Sequence, residues 1–376
     1  MPLLLAYRRW WCLVFLGLLL LPTIGLVTPD LPAPLRAARA VPPAWWERAT
    51  ERLDPYINNN YGLRGVFMAA HAAYGRAMKS TRERPVLVGQ DGQLFYTGEG
   101  ALDQSLGRLF RTWQMDMLVR VTNRMRQELD KAGIRFGVVS PPNAQTVIAD
   151  LMPEWAQAEQ RHPTEYDFAA KTLTANGTSF VDLRPILSAA RAGGPVYQKT
   201  DTHWNSRGAV LGFNAAMRSV GRDDLQIDLA EALGEPLPKE TGDLARYLGE
   251  SSATGDTDLA LKGPMIVPAD LKPIAGLFPP PVPGDPFDSY AFETGHPGPR
   301  ILIIGDSFSQ RFWPGLLAAR SSAFAWTHHR NCRFDWGIIG RFKPDLVVYA
   351  PVERGLPCVG TPAGLSVPPA DKAKAS

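Results

Sequence analysis

Three side chains in two short stretches have the types and spacing of an acyl-transfer site. Residues 200–205 read TDTHWN, which sets the carboxylate of Asp201 two positions before the imidazole of His203. Far downstream, residues 301–310 read ILIIGDSFSQ, with Ser307 where an apolar run gives way to a polar turn. A serine hydroxyl is a poor nucleophile and needs an adjacent base. An imidazole held at its other nitrogen by a carboxylate is such a base. In extended backbone, residues i and i+2 point to one side. Asp201 is therefore expected beside the ring of His203, fixing its tautomer, with Trp204 walling the site. Each stretch has a plainer reading, Ser307 as a helix cap and His203 as a satisfied surface histidine. Together they are more specific than either alone. His71, His162, His296, His328 and His329 have no comparable acid nearby in the sequence, and His329 is the best rival base.

The elements around these residues alternate between strand and helix patterns. VLVGQDGQLFYTGE reads as two short strands around a Gln-Asp-Gly turn. Residues 102–132 have the apolar spacing of a helix ended by Gly133. IRFGVVS is a buried strand, SFVDLRPILSAARAGG a strand and a helix, and NSRGAVLGFNAAMRSV a helix with Asn205 or Ser206 as its N-cap. RILIIGDSF predicts a strand, a turn and a helix through Arg320, and KPDLVVYAPVERGL one more buried strand. This rhythm predicts an α/β fold, a parallel sheet with helices on both faces. In such sheets ligands bind beyond the carboxyl ends of the strands, where Ser307 falls. Residues 222–298, rich in Pro, Gly and Asp, interrupt the rhythm and read as an insertion or lid.

Composition narrows the class further. The chain has 376 residues, 45% hydrophobic and 20% charged, as in a folded body. A formal charge of +3 and scattered arginines give no reason to expect a nucleic-acid partner. No metal-ligand spacing of Cys or His occurs, so no metal and no cofactor is expected. Residues 1–9 read as a cytoplasmic start with Arg8 and Arg9, and residues 10–27 as an apolar transmembrane anchor. The nearest small-x-small sequence, residues 38–40, lies far downstream, which favours an uncleaved anchor over a signal peptide. Residues 28–85 are expected to form a spacer and juxtamembrane helices, 86–360 the catalytic domain and 361–376 a disordered tail. In an exported body, Cys332 and Cys358 either form a disulfide or stay as two buried thiols.

YQKTDTHWNSRGA and GDSFSQ, with VVSPPNAQTVIADLMPEW, FVDLRPIL and PDLVVYAPVERGL, resemble the SGNH-hydrolase-like domain of alginate O-acetyltransferases of the AlgX/AlgJ type. The resemblance covers most of residues 60–360. In that family the blocks are circularly permuted, so Asp and His precede Ser, as here. It implies Ser307 as nucleophile, His203 as general base and acid, and Asp201 as its orienter. Two departures, Ala144 after Asn143 where the family has a lysine, and a weak tyrosine-and-proline signature, bear on the acceptor polymer. The strand that usually ends in an oxyanion-binding Asn here ends PVERGL. Arg354, held by Glu353, or a backbone N–H is expected to replace that donor; the alternative is a surface ion pair.

The resemblance implies a polysaccharide O-acetyltransferase, and the N-terminal anchor makes it membrane-tethered, single-pass in the inner membrane with its catalytic domain expected in the periplasm. Its partners would be a polysaccharide acceptor and a membrane acyl donor protein of the MBOAT type. A carbohydrate esterase with the same triad and a non-catalytic scaffold of an export complex are the other two readings.

Overall fold

The structure is a computed structural model that describes residues 10–17, 20, 85–159, 163–248, 256–265, 267–268, 271–280 and 284–368. The chain divides into two units, Met1–Glu83 and Arg84–Ser376. Of the first unit, residues 10–17 are helical and exposed. No helix among the described residues is long and apolar enough to cross a membrane. Residues 18–19 and 21–27 of the expected anchor, and residues 28–84 of the expected spacer and juxtamembrane helices, lie outside the described residues.

The second unit opens with the expected hairpin, β1 (Val86–Val88) antiparallel to β2 (Leu94–Tyr96), with Asp91 and Gly92 at positive φ in the turn. Helix α1 (Thr112–Lys131) leads into β3 (Arg135–Val139), with Gly133 at φ 72° releasing the chain from the helix end. Then come α2 (Glu165–Ala175), β4 (Phe180–Val181), α3 (Leu183–Ala190) and α4 (Ser206–Ser219). The segment after α4 holds β5 (Leu233–Pro238), β6 (Thr257–Leu261), β7 (Lys272–Pro273) and β8 (Tyr290–Glu293). The chain closes with β9 (Arg300–Gly305), α5 (Ser307–Phe312), α6 (Pro314–Arg320), β10 (Ala323–His328) and β11 (Leu346–Ala350).

Seven strands form the main sheet in the order β4-β3-β11-β9-β10-β8-β7. The five from β4 to β10 are parallel, and β8 and β7 add antiparallel. Read from β10, the parallel order is 10-9-11-3-4, which is the doubly wound 2-1-3-4-5 pattern with its last two strands placed first in the chain. Strand β9, at the centre, is buried on both faces. Ile301 and Ile303 pack with Trp204, Phe213, Phe308 and Trp313 on one side. Leu302 and Ile304 pack with Met115, Leu118 and Leu129 on the other. Two such faces need helices on both sides. Burying each of these side chains contributes about 1.5–3 kcal/mol.

Four expectations are corrected. The helix foreseen over 102–132 is broken between Ala101–Ser105 and α1, where Gly107 sits at φ 71°. The helix after Ser307 restarts at Pro314, which cannot donate a helical hydrogen bond. Residues 222–298 are not only a lid, because β7 and β8 extend the main sheet and β5 pairs with β6. Residues 361–368 of the foreseen tail are placed against the body: Ala363 bridges Asp335 and Leu365 is buried. Cys332 and Cys358 form a disulfide, with Cα atoms 5.2 Å apart.

Candidate active site

Asp306 builds the turn between β9 and α5. It is extended and caps the helix, its Oδ1 accepting from Phe308 N at 3.0 Å. Its Oδ2 accepts from Val352 N at 2.6 Å, so one carboxylate ties the ends of β9 and β11 together. Burial would raise this carboxyl, but His329, the Val352 N–H and Arg354 outweigh it and hold the group below the usual range. Ser307, the next residue, begins α5 and lines a cleft of about 440 Å³ with Arg111, His328, His329, Arg333 and Arg354.

The Asp201–His203 loop arrives at the same end of the sheet just before α4. Asp201 Oδ1 accepts from both the ring Nδ1 of His203, at 2.6 Å, and its backbone N–H, at 3.0 Å. The pairing expected from spacing is present, but the backbone is a bend rather than extended. The double acceptance by one carboxylate oxygen is the Asx-turn geometry that makes the bend. Asp201 Oδ2 accepts from Arg311 Nη1 at 3.2 Å. Burial pushes the Asp201 carboxyl up, and the His203 hydrogen bond and charge, with the Arg311 guanidinium, pull it well below the carboxylate range.

Three carboxylates of the 222–298 segment hold this loop. Asp243 accepts from the N–H and hydroxyl of Thr202 at 2.7 and 2.8 Å. Asp256 accepts from the N–H groups of Lys199 and Thr200 at 2.6 and 2.7 Å, and Asp258 from Ser206 N at 2.9 Å. Asp201, His203 and Asp243 offer ligand atoms within 4.8 Å of one another. The oxygens of Asp201 are already engaged by His203 and Arg311, and those of Asp243 by Thr202.

The loop and the serine helix meet at Phe308. The His203 ring lies 4.9 Å from the Phe308 ring, between centroids, and Trp204 Nε1 donates to the Phe308 carbonyl at 3.2 Å. His203 thus abuts the residue that follows Ser307. Its Nε2 is buried and has no hydrogen-bond partner, so the bond to the Ser307 hydroxyl is not formed in this structure. The rival, His329, has both nitrogens directed elsewhere. Nδ1 accepts from Asn331 N at 3.0 Å, which places any single ring proton on Nε2, 3.7 Å from Asp306 Oδ2.

The weaker candidates divide. Arg354 lines the cleft beside Ser307 and lies over the Phe308 ring at 5.5 Å. The expected Glu353 support is corrected: Arg354 Nε donates to Glu99 Oε2 at 3.1 Å, while buried Glu353 accepts from Asn143 N at 2.8 Å. Asn143 is buried and lines a small pocket with Asp201 and Arg354, its side chain donating to Gln104 and Ser105. Trp204 walls nothing open, because its indole is fully buried against Phe308 and Trp313. The room for it comes from Gly212, where a Cβ would stand 2.3 Å from the indole. Arg311, Asp243, Asp256 and Asp258 were not foreseen. The one sequence signal for Arg311 is its place one helical turn after Ser307.

The model of a family described as "SGNH hydrolase-like domain, acetyltransferase AlgX" matches residues 86–324. The probable alginate O-acetylase AlgJ of Pseudomonas aeruginosa is 34% identical over 128 residues, 33% of this chain and 30% of that relative. This chain therefore matches less than a third of that relative's length. Among solved structures, Bacillus cereus PatB1 with a sulfonyl adduct aligns with a TM-score of 0.52 at 13% identity, over 72% of this chain and 94% of that one. The O-acetyltransferase domain of Pseudomonas putida AlgJ aligns with a TM-score of 0.47 at 20% identity, over 74% and 94%. With the family match spanning well over half of its length, this chain belongs to the AlgX-type SGNH hydrolase-like acetyltransferase family.

Proposed function

We propose that this protein is an exported, membrane-tethered O-acetyltransferase that acetylates hydroxyls of an exopolysaccharide, alginate-like or related, through an acyl-serine intermediate. The observation that carries the reading is the Asp201–His203 pair seated on Phe308, with Nε2 buried, unpartnered and next to the residue after Ser307. A buried polar atom left without a partner costs about 1–3 kcal/mol, and on His203 that atom is the ring nitrogen a base would use.

The chemistry runs in two halves. Ser307 Oγ attacks the donor's acetyl carbonyl as its proton passes to His203 Nε2, which requires the hydroxyl to reach that nitrogen in the substrate complex. Asp201, bonded at Nδ1, keeps the tautomer with Nε2 free and stabilises the imidazolium. The backbone N–H of Ser307 and the Arg354 guanidinium are the donors for the oxyanion. His203 returns the proton to the leaving group, and the acetyl stays on Ser307. A sugar hydroxyl then gives its proton to His203 and takes the acetyl, restoring the serine. A membrane acyltransferase of the MBOAT type would deliver the acetyl group across the bilayer.

Export is supported by the disulfide Cys332–Cys358, which persists in oxidising compartments, and by the apolar residues 10–27 after Arg8 and Arg9. The test is incubation of the full chain with p-nitrophenyl acetate, with and without oligosaccharide acceptor. Acetylated sugar is expected with the wild type and is absent with Ser307→Ala. Acetate as sole product in both cases makes the protein an esterase. Turnover unchanged in Ser307→Ala removes the catalytic reading altogether.

A further inference from the structure

We propose that Arg311 is a positioning residue for acyl transfer: it holds the second oxygen of Asp201 and, through that carboxylate, sets the pH at which His203 works. The inference rests on the triad reading above and adds a member that acts on the acid rather than on substrate.

The two oxygens of Asp201 are divided. Oδ1 serves His203 alone, through Nδ1 and the backbone N–H, and Oδ2 faces Arg311 Nη1 at 3.2 Å. The Asp201 side chain is 5% exposed, whereas that of Arg311 is 43% exposed. The guanidinium therefore reaches in from solvent to a buried acid. Arg311 also stands on α5, four residues after Ser307, so the helix that carries the nucleophile grips the acid of the base pair. One short element fixes both ends of the proton path, although Asp201 and Ser307 are far apart in sequence.

The electrostatic consequence has a definite sign. A cation on Oδ2 draws on the carboxylate's charge and opposes a second positive charge on the imidazole it faces. Removing that cation favours the imidazolium, so His203 becomes available as a base only at higher pH. The other groups near the pair are Asp243, which accepts from Thr202, and Arg354 and Tyr96, which line a small pocket with Asp201 and Thr202. Substitution of Arg311 leaves all three in place, so a shift is assigned to Arg311.

The experiment is the pH profile of p-nitrophenyl acetate turnover by the full chain. A second profile measures inactivation by phenylmethanesulfonyl fluoride, which reads the activated serine without turnover. In Arg311→Gln the acid limb of both profiles is expected to move up, by less than a buried charge pair gives because Arg311 is half in solvent. Arg311→Lys, which keeps the charge, is expected to retain the wild-type limb. Arg311→Met replaces Arg311→Gln if that protein does not fold. A limb unmoved by loss of the charge, with only a lower Tm, reduces Arg311 to a structural ion pair and overturns the proposal. Ser307→Ala is run alongside: if it turns over and reacts like the wild type, the triad reading has failed rather than the role of Arg311.

Discussion

One oxygen of Asp201 accepts two hydrogen bonds from His203, at 2.6 Å from the ring and 3.0 Å from the backbone. The same contact that bends the chain also fixes the tautomer of the imidazole, so loop shape and base chemistry are one interaction. Asp201→Asn replaces that acceptor with an amide that presents a donor on one side. Turnover of an acetyl ester is expected to fall by about three to four orders of magnitude, with the far-UV spectrum unchanged. Turnover within tenfold of the wild type would separate Asp201 from the chemistry.

The loop depends on carboxylates that lie beyond α4. Asp256 accepts from Lys199 N and Thr200 N at 2.6 and 2.7 Å. Asp256→Ala leaves those donors bare at a cost of about 1–3 kcal/mol each in the worst case. The expected result is a lower urea midpoint and a larger loss of turnover than the stability loss explains under conditions where the protein stays folded. Equal activity per folded molecule would mean the loop holds its shape unaided.

His328 gives the protein a pH-dependent weakness. Burial first, and then the neighbouring His329, push its imidazole down to about 3, against 6.5 when unfolded. Between those values the unfolded chain binds a proton that the folded chain does not. Stability is therefore lost as pH falls from about 6.5 toward 3. His328→Asn, which keeps an acceptor for Arg330 N, is expected to flatten that part of the curve of urea midpoint against pH. A slope identical to the wild type contradicts the assignment.

The disulfide joins two loops that both line the cleft. One follows β10 and carries Asn331 and Arg333, the other follows β11 and carries Arg354 and Val359. Val359 N also donates to the Asn331 carbonyl at 3.1 Å. With a separation of 26 residues, the bond constrains the unfolded chain by about 3 kcal/mol. Replacing both cysteines by serine is expected to lower Tm by several degrees, and reductant is expected to do the same to the wild type but not to the double variant. No change in Tm would show that the crosslink adds nothing to the packed loops.

What the sequence made legible follows from the range of each signal. Strands β3, β9 and β11 were readable because a strand buried on both faces leaves an unbroken apolar run. The Asp201–His203 contact was readable because its partners are two residues apart. Arg311 was missed because its partner lies 110 residues earlier, and nothing local marks a salt bridge of that span. The three aspartates of the 222–298 segment were missed for the same reason, hidden in a Pro- and Gly-rich stretch that reads as loop. Trp204 was misplaced because an indole next to the candidate base His203 suggests a wall, whereas its N–H found a backbone carbonyl inside the core.

The central claim is that the hydroxyl of residue 307 carries the acyl group between donor and acceptor. Intact mass measurement after rapid mixing with an acetyl ester reads it directly. One added acetyl, mapped by peptide cleavage to Ser307, lost on adding oligosaccharide and absent from Ser307→Ala and His203→Asn, is the predicted result. Acetylation at another residue, or an adduct that forms equally in Ser307→Ala, would contradict it.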